Sequence, residues 1–169
     1  MTIEEYLDEL ARKYEPSYDV QRDVVLGGKT IDMLATSIRR TEKYFLLKEL
    51  PLYGFDTCCI SLIQVFREPV TSYHVKEFSE YIQSVAFKLA NPSLDKLCTI
   101  INGVMVCGNK VYPEVPPTVR ATRWSRAFAF GLKGYVHLGM LLVDLGSKEV
   151  VTNKIGNAFR MSHLALDWR

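Results

Sequence analysis

Magnesium-assisted phosphodiester cleavage needs carboxylate oxygens for a hard cation and a positive charge beside the attacking water, and a strand-helix-strand crossover can present both. The stretch from Asp56 to Gly108 is patterned as such a crossover: an apolar strand ending in Gln64-Val65-Phe66, a turn through Pro69, an amphipathic helix and a second buried strand. Gln64 has no charge for a cation, and Phe66 has neither a proton nor a charge to offer a nucleophile. Asp32, on an earlier strand, supplies one carboxylate. A displaced arrangement would use Asp32, Lys48 and Glu49, with Glu42 nearby, if Tyr44 to Leu47 were the functional strand. Charges that bound strands are more often solvated ends than ligands.

Arg120, Arg123 and Arg126 recur every third residue around Trp124. On a helical turn they would line one face and meet phosphates, with Trp124 free to stack on a base. The plainer reading is a solvated basic connector whose tryptophan is anchored on the core. His74, His137 and His163 lie far apart and outside any metal-ligand or HExxH spacing, so no metal site is expected. Cys58 and Cys59 are adjacent on a strand and point to opposite faces, and no CxxC pair occurs; buried, reduced thiols are the expectation. Asp144 and Glu149 flank a turn, and turn chemistry accounts for both.

With 169 residues, 48% hydrophobic and 24% charged, the chain has the composition of one globular domain and not of a disordered segment. Its net charge of +2 gives no global field for a polyanion, so nucleic acid would have to be held by a local patch. The acidic start and the lack of a long apolar run predict a soluble, cytoplasmic protein with no membrane partner.

Those side chains must be placed by regular elements. Thr2 and Glu5 make a capping box, and Ile3, Tyr6, Leu7, Leu10 and Tyr14 share one face of a helix over about 3 to 14. Tyr18 to Leu26 and Thr30 to Ile38 read as a hairpin turning at Gly27-Gly28. Tyr44 to Leu47 and Phe55 to Phe66 read as strands, then a helix from Thr71 or Ser72 to Asn91-Pro92, then a buried strand from Leu97 to Val106. A crossover of this length predicts a parallel pair. Pro113, Pro116 and Pro117 predict an irregular loop over 108–118, the one candidate boundary within a single domain of 1–169. Arg126 to Phe130 and Tyr135 to Val143 form a predicted hairpin, joining the first sheet or a separate one, followed by a strand from Glu149 to Thr152 and a short helix carrying Met161, Leu164, Ala165 and Trp168. The expected class is mixed α/β: a central mixed sheet, an amino-terminal helix, a crossover helix and a carboxy-terminal hairpin.

The order helix, hairpin, strand, helix, strand over residues 3 to 107 resembles the core of the restriction-endonuclease-like fold. That resemblance implies an acidic residue at Asp32 and a metal-binding tripeptide at Gln64-Val65-Phe66, which has lost its charges. The segments Glu42-Lys43-Tyr44-Phe45, Phe128 to Tyr135, Leu142 to Leu145 and Val151 to Gly156 also resemble an uncharacterised prokaryotic family, which implies no substrate. The expected function is therefore a noncatalytic binding or assembly protein on a degenerate nuclease-like scaffold, without a cofactor and open to homo-oligomerisation through the aromatic hairpin. The alternatives are a magnesium-dependent phosphodiesterase with the displaced site, and nucleic-acid binding without cleavage through the arginines.

Overall fold

The computed structural model describes residues 1–37, 57–90, 98–131 and 134–168. The expected strand at Tyr44 to Leu47, with Glu42, Lys48 and Glu49, lies outside the described residues, as do the Asn91-Pro92 helix stop and Leu132-Lys133.

Helix α1 spans Ile3–Tyr14, and its capping box forms as the sequence predicts: Glu5 N donates to Thr2 Oγ1 and Thr2 N to Glu5 Oε2. Strands β1, Tyr18–Leu26, and β2, Lys29–Ser37, make an antiparallel hairpin through the left-handed Gly27 and Gly28. Strand β3, Thr57–Phe66, crosses through α2, Ser72–Ala90, to β4, Cys98–Cys107. The β3–β4 pair is parallel, as the crossover length requires. Helix α3, Val115–Ala121, leads to β5, Ser125–Ala127, then β6, Tyr135–Asp144, β7, Glu149–Thr152, and α4, Arg160–His163. Among the described residues the sheet has seven strands in the order β1-β2-β3-β4-β6-β5, with β7 also paired to β6. No described helix is long and apolar enough to cross a membrane.

Three details depart from the sequence reading. The proline stretch expected to be irregular begins α3, with Pro116 and Pro117 at its second and third positions, where the missing N–H groups would have no helical acceptor. Of the two arrangements the sequence left open for the carboxy-terminal strands, they take the first and join the main sheet: β6 pairs in parallel with β4 along all ten residues. The hairpin partner of β6 is only three residues long, since Ala129, Phe130 and Gly131 all take left-handed backbone and end the strand. The last helix is likewise shorter than its apolar spacing suggests: α4 stops at His163 and Leu164 is extended.

One apolar layer lies between the sheet and α2 with α3, built on Ile60, Leu62, Phe78, Ile82, Ile101 and Met105. The other lies between the sheet and α1 with the last residues, built on Tyr6, Leu10, Met33, Ile63, Ile100 and Val104. The β1–β2 hairpin belongs to both. Tyr18, Val20, Met33 and Ala35 face the α1 layer, whereas Leu26 and Ile31 face the α2 layer. Strict two-residue alternation would keep Val20 with Leu26 and Met33 with Ile31. The ladder steps from Arg22–Met33 to Val24–Ile31 over Asp23 and Asp32, and Asp23 is left-handed at φ 52°. The pleat therefore inverts at this pair of aspartates.

Beyond the inversion the hairpin tip closes on α2. Tyr81 Oη donates to Leu26 O at 2.6 Å, Lys29 Nζ lies over the rings of Phe78 and Tyr81, and Gly27 leaves room for Val85. The closest helix-to-sheet approach is at Gly103 of β4, where a Cβ would sit 2.3 Å from Ile82 Cδ1 and 3.0 Å from Met140 Sδ. Gly103→Ala should destabilise the protein by about 2 kcal/mol through overpacking. Ile82→Val removes the Cδ1 that clashes, so the double variant should melt above the Gly103→Ala single variant, a non-additivity readable in thermal unfolding.

Candidate functional site

The inversion at Asp23 and Asp32 also sets the chemistry of the strand end. The β2–β3 ladder runs from Thr36–Ile60 to Met33–Ile63 and stops there, so Val65 N–H, which that register would set opposite Ile31, meets no ladder carbonyl of β2. It donates to Asp32 Oδ2 at 2.8 Å, and Gln64 Nε2 donates to the same oxygen at 2.7 Å. A carboxylate thus takes the place of a backbone acceptor, and the structure brings Asp32 and Gln64 together. Gln64 Oε1 is buried without a hydrogen-bond partner among the described residues. Reversing the amide would set that oxygen against the carboxylate, so the orientation is fixed by charge. Phe66 packs edge-on against Phe78 and His74, with centroids 6.0 and 5.9 Å away. The strand end is filled by an amide and an aromatic ring. Among the described residues no three His, Cys, Asp or Glu side chains are grouped to hold a metal ion.

Arg120, Arg123 and Arg126 are all exposed. Arg123 Nη1 turns back to donate to the carbonyls of Arg120 and Thr122, where it meets the negative end of α3. Trp124 packs against the α2 layer, as its plainer reading had it, while Arg120 and Arg126 are exposed. Asp144 accepts from Gly146 N, Ser147 N and Ser147 Oγ, which is turn chemistry. The four cysteines are free. Burial pushes Cys59 and Cys107 up to about 12 and Cys98 up to about 11, so these thiols stay protonated and poorly nucleophilic at neutral pH. An open groove of about 750 Å³ between α1 and β1 is lined by charges of both signs, and its Arg22 already pairs with Asp8 at 2.9 Å.

Sequence patterns gave no sign of a second polar centre on the opposite face of the sheet. Ser61, Asn102 and Gly139 are side by side on β3, β4 and β6. Tyr14 Oη, at the end of α1, lies 3.4 Å from Ser61 Oγ and 2.9 Å from His163 Nε2. Asn102 is fully buried, and neither of its side-chain polar atoms has a partner among the described residues; His163 Nδ1 is in the same position. Each such atom costs about 1–3 kcal/mol when left without a hydrogen bond. Asn102 occupies the space that a Cβ on Gly139 would need, with Gly156 Cα behind it. The signal was a lone Asn within an otherwise apolar run, in register with a strand glycine, and register is invisible before the sheet is known.

Asn153 shows the contrasting case of a buried amide with all four bonds made. Its Oδ1 accepts from Met140 N and Gly156 N, and its Nδ2 donates to Thr122 O and Leu138 O. This one side chain fastens β6, the residue that ends α3 and the turn after β7.

Residues 2–163 match the family described as Domain of unknown function (DUF8052), and the chain belongs to that family. No curated protein matches it.

Burial, and secondarily the nearby Lys13 charge, lower His163 to about 3. The folded value lies below the unfolded one of about 6.5, so the unfolded chain takes up the proton first. Stability contributed by neutral His163 is present above about pH 6.5 and is lost as pH falls toward 3. Between about pH 7 and 5, urea unfolding of His163→Gln should lose about 2 kcal/mol less than the parent chain.

Proposed function

We propose that this DUF8052 chain is a noncatalytic binding or assembly protein on a degenerate nuclease-like α/β scaffold. The reading rests on the strand end. A helix, a hairpin, a third strand, a crossover helix and a parallel fourth strand recur in the order of nuclease cores. At the place where such a scaffold would hold a cation, Asp32 Oδ2 instead accepts from Gln64 Nε2 and Val65 N–H. Two N–H donors compensate one carboxylate there, and the adjacent Phe66 brings neither proton nor charge.

Assembly is supported by the turn between β5 and β6. Phe130 stands fully exposed on left-handed backbone, a costly conformation for a bulky residue, and Phe87 beside Phe128 is 62% exposed.

The test restores what the scaffold lacks. Gln64→Glu should set two carboxylates together, raise their shared pKa above the unfolded value, and cost about 2 kcal/mol at neutral pH that is recovered as the pH falls from about 6 to about 4. Gln64→Glu with Phe66→Lys should gain a rise in Tm with manganese that the parent chain does not show. Magnesium- or manganese-dependent cleavage of DNA or RNA by the parent chain, abolished by Asp32→Asn, would overturn the reading. For assembly, sedimentation of the parent chain should show concentration-dependent association that Phe130→Asn weakens without lowering Tm.

A further inference from the structure

One face of α1 reads the main chain of the segment that follows α4. Tyr6, Glu9 and Lys13 stand three and four residues apart, so they share a face. Tyr6 Oη donates to His163 O at 2.9 Å, Lys13 Nζ donates to Leu164 O at 2.6 Å, and Leu166 N–H donates to Glu9 Oε1 at 2.8 Å. Glu9 and Lys13 also form an ion pair, which holds the two charged groups at the spacing those bonds need. The segment adds two side-chain anchors, Ala165 fully buried in the α1 layer and Trp168 stacked on Tyr6 with centroids 6.1 Å apart. Its other contacts are weak. Leu166 is 61% exposed, the buried Trp168 N–H has no partner among the described residues, and Asp167 reaches Lys148 only at 3.7 Å. The family match ends at His163, so the anchored segment lies beyond the part of the chain that defines the family.

We propose that the Tyr6–Glu9–Lys13 face of α1 is a peptide site that recognises a main chain extended at one residue and then closed in a 3-10 turn, with a small residue and an aromatic three positions later, filled in cis by His163–Trp168 and exchangeable for the same segment of a second copy of this chain. Three bonds go to backbone groups, which any peptide carries; Ala165 and Trp168 supply the selection. The cis segment is held at high effective concentration and competes with any copy offered in trans. The site stands independently of whether the Asp32 strand end is catalytic.

The test uses the full chain and a fluorescent synthetic peptide of residues 162–169, followed by anisotropy. Trp168→Ala in the protein weakens the cis segment and should tighten peptide binding by about fivefold or more, because the competent, open site becomes more populated. In that background, Glu9→Gln with Lys13→Met should weaken binding about tenfold, and a peptide N-methylated at Leu166, which cannot donate to Glu9, should lose a similar factor. If Trp168→Ala does not fold, Asp167→Ala replaces it, since it removes only the long contact to Lys148. No saturable binding to the folded variant, or equal binding of the N-methylated peptide, would overturn the proposal.

Discussion

The arrangement depends on the break in alternation where Asp23 faces Asp32. Without it the β1–β2 hairpin would continue to line the α1 layer, and Leu26, Gly27 and Lys29 would not reach Phe78, Tyr81 and Val85 on α2. The break has two local costs: left-handed backbone at Asp23 and an interrupted ladder at Asp32. Aspartate is suited to both positions, since it tolerates left-handed backbone and offers an acceptor able to take the Val65 N–H that the ladder leaves over. The Asp32 carboxylate is thus engaged by the backbone geometry of the strand end.

The two faces of the sheet treat polarity differently. Toward α2 the middle of the sheet is mainly apolar and the helix approaches closely over Gly103. Toward α1 it carries Ser61 and Asn102 beneath Tyr14 and His163, with several hydrogen-bonding atoms left open. Asn153 shows that the fold can satisfy a buried amide completely when backbone groups converge on it. Asn102 sits mid-strand, where neighbouring N–H and C=O groups are committed to the ladders of β3 and β6, and nothing in the backbone remains to meet it.

Much of the fold was legible because it follows from local rules. The capping box at Thr2, the glycine pair at 27–28, and the helical face of Val75, Phe78 and Ile82 each specify an element almost by themselves. The proline run misled because proline both breaks strands and starts helices, and only the buried Val115 and Val119 favour the latter. Of the candidate site, Asp32 and Gln64 stood out singly as residue types, but the bond between them was not legible, and neither was the return of Arg123 to the end of its own helix, since an arginine is as able to cap its own helix as to meet a phosphate. The polar row under α1 was hidden because its members come from positions 14, 61, 102 and 163, which no window of sequence contains.

The hold of α1 on the segment after α4 has a consequence for biosynthesis. Helix α1 leaves the ribosome well before the residues that satisfy Tyr6, Glu9 and Lys13, which are some 157, 157 and 151 positions downstream. At translation rates of about ten residues per second, the helix waits on the order of fifteen seconds for this partner. Twelve residues are too few to hold a helix in water unaided, so α1 has no lasting structure of its own until the elements it packs on emerge. A segment made early is thus fixed late, and the α1 layer closes only after the residues following α4 have emerged.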